Sequence, residues 1–362
     1  MTEDNQALWL DAPRAQFRVG PAPRTPPGAG EIVVRTRAVG LNPVDALPGF
    51  ARRFVYPWLH YPTVLGTDVA GDVVEVGAGV QRFRPGDRVV GLATGQERFR
   101  NRAAHGAFQR FVVLAADLAA PVPDGIALTD AVALPLALTT AAAGLFEPDQ
   151  LGLPLPAHGV VEQHATVLVW GASTSVGSNA IQLARNSGYR VLATASPGNA
   201  DRARDLGAAE VFDYRDPSAV PEIVRALRGE RLAGTIAIGA GSLARTIRIA
   251  RRSDGSRRVA SAHPTPVTTV RAAAARPFGV RVSAIWGGTP ATTGVGPALY
   301  RDFLPAALAD GRYRTAPRAE VVGSDLAALP AALARLRRGV SARKLVLTLD
   351  ETRSPDRASG SG

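Results

Sequence analysis

The stretch Ala165–Leu183, ATVLVW-GASTSVG-SNAIQL, constrains this chain more than any other. A short, unbroken apolar run reads as a strand buried on both faces. Small residues follow, and then a helical pattern carried by Ile181, Leu183 and Ala184. The same order recurs downstream. Strands are expected at Tyr189–Thr194, Glu210–Asp213, Thr235–Ile238 and Val259–Ala262, with helices at Ala200–Leu206 and Ser218–Leu227. Strands alternating with helices imply an α/β fold with a parallel, doubly wound sheet.

A strand feeding a helix through a tight turn is also a phosphate site. Free backbone N–H groups and the helix dipole favour an anion at the helix start. Ser173, Thr174, Ser175 and Val176 are therefore the expected pyrophosphate contacts. The turn departs from the usual G-x-G-x-x-G. Aligned on Gly177 it reads Ala172-Ser173-Thr174-Ser175-Val176-Gly177, and an ordinary strand–turn–helix would read the same way. The tip of the next strand discriminates further. An NAD site usually places Asp or Glu there to bond the ribose. This chain has Ser196, Pro197, Gly198 and Asn199, which would not repel a 2′-phosphate. NADPH is the expected cofactor, with Tyr214 near the same end; packing alone would also account for that tyrosine.

The first third has a different texture. Glu31–Val39 alternates as a half-buried strand, and strands are also read in Thr67–Val80, Phe83–Leu92 and Phe108–Leu114, between Gly and Pro turns. That pattern suggests a barrel or distorted sandwich. Leu128–Leu145 reads as helix broken at Pro135, and Leu151–His158 as loop. Helices at Ala298–Leu308 and Leu326–Leu336 and a strand at Lys344–Leu349 close the chain; 351–362 is expected to be a disordered tail.

Composition narrows the function classes. There is no cysteine, so no thiolate nucleophile or Cys-ligated metal. The five histidines show no ligand spacing, and no metal is expected. The net charge is +11, but Lys344 is the only lysine and the arginines are scattered from Arg14 to Arg357. Scatter fits a compositional bias and argues against nucleic acid as a partner. No apolar run reads as a membrane span, and Met1–Leu10 lacks the features of a secretion signal; a cytoplasmic location is expected.

Several segments in order resemble the medium-chain dehydrogenase/reductase superfamily. They are Gly40-Leu41-Asn42-Pro43-Val44-Asp45, Gly66-Thr67-Asp68-Val69-Ala70-Gly71, Val74–Gly77, Phe83–Val89, the Gly171–Gly177 turn and Gly207-Ala208-Ala209. Ser196–Pro217 and Ser341–Val346 are similar to the trans-acting enoyl reductases, close to the zinc-independent quinone oxidoreductases. The resemblance implies a GroES-like, distorted β-barrel catalytic domain over 1–125, completed by about 290–350, and a Rossmann domain over 126–289. It puts the active site in the cleft between them. Zinc-dependent members have a Cys and a Gly-His-Glu where this chain has Asn42–Asp45 and Gly66-Thr67-Asp68, so neither catalytic nor structural zinc is expected.

By resemblance, Asn42, Val44, Asp45 and Thr140 line the nicotinamide end, and Asn42 is the first candidate for a polar group at the reacting centre. Ala260, Ser261, Arg343 and Lys344 would add cofactor contacts. Ser283, Ile285 and Trp286 would flank substrate, though interface packing accounts equally for Trp286. Read from the residues themselves, Tyr56, Trp58, His60 and Tyr61 form an aromatic cluster in a Pro-containing loop that would either shape a substrate pocket or pack on the barrel. Without a metal to hold an alkoxide, hydride addition to a conjugated C=C is the favoured chemistry. The expected function is NADPH-dependent reduction of an enone or enoyl thioester. The alternatives are an NADPH:quinone reductase and a non-catalytic, nucleic-acid-binding relative. A homodimer is also expected.

Overall fold

A computed structural model of the chain describes residues 4–157, 159–262 and 265–349. The expected tail, His158 and His263 lie outside them. The N-terminal part contains strands β1 (Asn5–Leu10), β2 (Phe17–Ala22), β3 (Glu31–Gly40), β4 (Thr63–Val64), β5 (Asp68–Val76), β6 (Arg88–Leu92), β7 (Phe111–Ala115) and β8 (Ala119–Pro121). A short helix, α1 (Gly49–Val55), interrupts them. The central part contributes β9 (Thr166–Trp170), β10 (Arg190–Ala195), β11 (Glu210–Asp213), β12 (Leu232–Ala237), β13 (Arg258–Ser261) and β14 (Arg281–Ala284). The chain then returns through β15 (Arg318–Val321) and β16 (Arg343–Thr348).

The six central strands form one parallel sheet in the order β11-β10-β9-β12-β13-β14. The order reverses at β9, and ligands of such sheets bind at the carboxyl ends beside that reversal. The other large sheet runs β15-β16-β3-β5-β6-β8, with β7 also paired to β3. β16 adds antiparallel to the end of β3, with Val346 opposite Gly40. The last strand thereby brings Lys344 to the place where β3 ends and the Asn42 loop begins.

Between the two sheets lie α2 (Leu128–Ala131) and α3 (Pro135–Phe146), a break at Pro135 as the sequence suggests. Their span, 128–146, has the length and hydropathy to cross a membrane, yet 72% of its most apolar window is buried inside the protein. It is a core helix pair: Leu134, Leu138, Ala141 and Leu145 join the main apolar cluster with Val167, Val169 and Ile181. The segment around Tyr300–Tyr313 packs against α4 (Ser175–Asn186), where the Tyr313 hydroxyl meets Asn179 Oδ1 and Gln182 bonds the Arg314 backbone. The sequence reading missed β1, β2, β4, β8, α1, β14, β15 and the helices Ser242–Arg252 and Pro266–Ala275. The missed strands are short, and β2, β14 and β15 are largely open to solvent, so apolar periodicity is faint.

Candidate active site at the domain junction

The phosphate turn follows β9. Gly171 has φ of +102°, a conformation glycine alone adopts freely. A side chain at Gly177 would put its first carbon 2.1 Å from the Gly171 carbonyl oxygen, so glycine is required for helix and turn to meet. Thr174 caps α4: its hydroxyl oxygen accepts from Gly177 N at 2.9 Å and its proton goes to the Gly171 carbonyl at 2.8 Å. Thr174 is thus committed to shaping the turn. Ser173, Ser175 and Val176 stay half-buried around the open first turn of α4.

The tip of β10 leads into α5 (Pro197–Asp205), with Ser196 at its N-cap position and Pro197 in its first turn. Asn199 Nδ2 donates to Ser196 Oγ at 3.1 Å. Since β10 pairs in register with β11, Ala195 lies opposite Asp213 and Tyr214 follows directly. Arg215 sits with its guanidinium 5.5 Å from the Tyr214 ring centroid. The sequence reading passed over Arg215, although it adjoins Tyr214. Across the sheet, Ser261 pairs in register with Ala237 and Ala284, and its carbonyl accepts from Ile285 N at 2.9 Å. Ala260 and Ser261 are buried at this same edge.

The barrel side of the junction is a buried polar network. Asn42 Oδ1 accepts from Lys344 Nζ at 2.6 Å, and Lys344 Nζ also lies 2.6 Å from Asp68 Oδ2. Asn42 Nδ2 donates to Asp68 Oδ2 at 2.9 Å and to Thr67 Oγ1 at 3.0 Å. Asp68 Oδ1 accepts from Leu136 N at 2.7 Å, tying the network to the start of α3. The backbone N–H of Asn42 goes to Asp45 Oδ2 at 2.8 Å. Asp45 is fully buried and its Oδ1 has no hydrogen-bond partner. Burial pushes its carboxyl up to about 7, with the nearby Asp68 acting in the same direction.

These distances revise two expectations. Lys344 is held inside the network, at 3% side-chain exposure; Arg343 is exposed and faces Glu320 at 3.8 Å. Both amide hydrogens of Asn42 are also committed, so its side chain is a brace within the wall. Thr67, bonded to it, was missed as a site residue.

Thr140 is half-buried on α3, its hydroxyl donating to the Leu136 carbonyl at 2.6 Å. Gly287 packs against it so closely that an added side-chain carbon would lie 2.4 Å from Thr140 Oγ1. Next to Gly287, Trp286 meets Tyr56 and Trp58 edge-on, with ring centroids 5.5 and 5.9 Å away. Glu97 accepts from Trp286 Nε1 at 2.9 Å, and burial raises its carboxyl. Gln96 links this wall to the network: its Oε1 accepts from Gly66 N and its backbone carbonyl from Trp58 Nε1, both at 3.0 Å. Val44 is half-buried beside the same apolar cluster. Tyr61 is half-buried near Arg52, and His60 is exposed. Ile285 packs on Gly144 of α3.

Ser283 is not brought into this group. Its hydroxyl donates to Gln150 Oε1 at 2.7 Å and lines a separate cavity of about 170 Å³ with Asp149, Arg258 and Arg276.

With this geometry in place, comparison with known proteins decides the family. The Alcohol dehydrogenase GroES-like domain family matches residues 28–124. Dehydrogenase pigH of Monascus ruber is 42% identical over 366 residues, covering 95% of this chain and 99% of pigH. The chain belongs to the medium-chain dehydrogenase/reductase superfamily. Trans-enoyl reductase himH of Aspergillus japonicus is 34% identical, covering 96% of this chain and 98% of himH. A mycobacterial structure, Rv1454c complexed with NADPH, aligns with a TM-score of 0.69 at 26% identity, over 95% of this chain and all of that one. Both domain types expected of a superfamily member are present: a GroES-like N-terminal domain and a Rossmann-type parallel sheet.

The segments where the resemblance implies metal ligands in zinc-dependent members, Asn42–Asp45 and Gly66-Thr67-Asp68, include the network residues Asn42, Thr67 and Asp68. An ammonium already occupies the carboxylate of this set, and its charge opposes a second cation at the same point. Among the described residues, no three His, Asp or Glu side chains come together as a metal site. The residues present do not fit zinc.

Proposed function

We propose that this oxidoreductase uses NADPH to reduce a conjugated C=C in an enone or enoyl thioester. The observation that carries the reading is the network of Asn42, Thr67, Asp68 and Lys344. It puts a fixed cation and one neutral donor, the Thr67 hydroxyl, at the junction of the domains, in a donor set unsuited to a metal. A hydroxyl or amide suffices where charge spreads over a conjugated carbonyl, whereas a simple alkoxide needs more.

NADPH, when bound, supplies a hydride. The chain's part is to hold and orient it. The free N–H groups at the start of α4 receive the pyrophosphate, with Ser173 and Ser175 beside them. Ser196, Asn199, Tyr214 and Arg215 receive the 2′-phosphate; Arg215 adds the charge that the absent strand-tip acid would have opposed. Thr140 and the Asn42 loop border the nicotinamide end. Tyr56, Trp58 and Trp286 form an aromatic wall against which the substrate packs. The trans-enoyl reductase relative and the NADPH-bound structural neighbour support this reading.

Fluorescence titration with NADPH and NADH, followed by panels of enones and quinones, tests it. Tighter NADPH binding with enone turnover is expected, and Arg215→Ala should weaken NADPH binding while leaving NADH binding unchanged. Preference for quinones would redirect the substrate assignment, and no binding of either cofactor would sink the proposal.

A further inference from the structure

The network contains one proton that the protein does not use well. An ammonium can only donate and a carboxylate only accepts, so Lys344 and Asp68 force the orientation of the Asn42 amide. Its oxygen takes the Lys344 proton at 2.6 Å, and its nitrogen donates to Thr67 Oγ1 at 3.0 Å. Thr67 Oγ1 is therefore an acceptor toward Asn42, and its own proton must go elsewhere. The acceptor at hand is Asp68 Oδ1 at 3.4 Å, at the outer edge of hydrogen-bond range. That oxygen already accepts from Leu136 N at 2.7 Å.

The burial of the network has a direction. Asp68 is 0% exposed and Lys344 3%, while Asn42 and Thr67 each keep 5%. The charged end is closed and the hydroxyl end is the more open. Leu136 N ties Asp68 to α3, Thr140 bonds the Leu136 carbonyl, and Gln96 bonds the backbone of Gly66, the residue before Thr67. Hydrogen bonds in series polarise one another, so the Lys344 charge acting through the Asn42 amide strengthens Thr67 as a donor.

Building on the proposed reduction, we infer that Thr67 is a catalytic residue: its hydroxyl donates a hydrogen bond to the substrate's carbonyl oxygen, aimed by the relay Lys344–Asn42–Thr67. As hydride arrives at the β-carbon, the C=C π pair moves toward the carbonyl and negative charge grows on its oxygen. The Thr67 O–H meets that charge without itself being deprotonated. Water then delivers a proton to the α-carbon and the C=O re-forms, leaving a saturated carbonyl, NADP+ and hydroxide, which takes a proton from solvent. The co-reactants are NADPH and water. Asn42 and Lys344 are positioning residues in this scheme.

The test uses the full-length protein with Thr67→Val, Thr67→Ser and Thr67→Cys. Loss of a preorganised donor to a developing oxyanion costs about 10²–10³-fold in kcat. T67V should lose that much with KM within about threefold, since the contact is made chiefly in the transition state. T67S should restore most of the rate. If T67V does not fold, T67C, whose thiol is a poor donor, takes its place with the same expected direction. A second readout needs no turnover: the infrared carbonyl band of isotope-labelled cyclohexanone bound to the NADP+-loaded protein. It should lie at lower frequency in the wild type than in T67V. A wild-type rate in T67V or T67C, or an unchanged band, overturns the role of Thr67. Failure of the wild type to reduce any enone is a separate result that removes the broader reading, and the band then still decides whether Thr67 grips a carbonyl.

Discussion

The Rossmann edge and the barrel network face the same junction but are built on opposite plans. At the edge, the polar groups are mostly backbone N–H left open by a helix start, shaped by small residues and one cap, Thr174. In the network, the polar groups are side chains, nearly all spent on one another inside the protein. The first plan leaves capacity for a large anion. The second stores fixed charge and orientation close to one small reacting group. Substitutions in the two regions should therefore separate: the edge should govern cofactor affinity, and the network stability and turnover.

The largest expected effect is from Lys344→Met. It leaves the Asp68 carboxylate buried without its cation and should cost about 3–5 kcal/mol in urea unfolding. A cost below about 1 kcal/mol would break the comparison, because the network would then carry little stored charge.

Asp45 gives the next effect, read as pH dependence. Its folded-state carboxyl is raised to about 7 from an ordinary value of 3.8, so the folded protein holds a proton that the unfolded chain releases. Stability from this group is fully present below about pH 4 and falls as pH rises through 7. The loss is on the order of a few kcal/mol. Asp68, Lys344 and Arg52 are the charged groups coupled to it. Asp45→Asn keeps an acceptor for the Asn42 N–H and should flatten the decline in unfolding midpoint between pH 5 and pH 8. An equally steep decline in the variant would remove Asp45 from that role.

On the edge, Gly177→Ala forces a carbon against the Gly171 carbonyl. Overpacking of this kind costs about 1–3 kcal/mol. Because the turn itself must move, NADPH affinity should fall by about tenfold or more in a fluorescence titration. Unchanged affinity would show that the turn does not hold the pyrophosphate. Thr174→Ala is milder, losing a cap worth about 1 kcal/mol, with thermal unfolding as the measurement. Neither edge variant should alter the pH profile set by Asp45.

How far each region could be read from sequence follows from the same contrast. The strand at 166–170, its turn and the helix to Asn186 lie within one short segment, and their pattern of apolar and small residues is local. The tip Ser196–Asn199 is equally local, and the absence of an acid there is a direct reading of letters. Arg215 was overlooked only because a lone arginine in an arginine-rich chain carries little signal. Trp286 could be named as a substrate candidate by resemblance and Tyr56 from its aromatic loop, but their contacts with each other and with Trp58 could not.

What the sequence determined by itself is the alternation that makes a parallel sheet, the position of the phosphate turn and the residues at its rim. These depend on propensity and periodicity over a few residues at a time. What the tertiary structure decided is the use of the polar side chains. Lys344 and Asn42 are separated by 302 positions, and they meet because β16 pairs with the end of β3. That pairing turns a lysine read as a cofactor contact into the buried cation of the network, and turns Asn42 into a brace. Only closure of the barrel removes these groups from water, and only in that low-dielectric setting do an ammonium, a carboxylate and an amide fix one another so firmly.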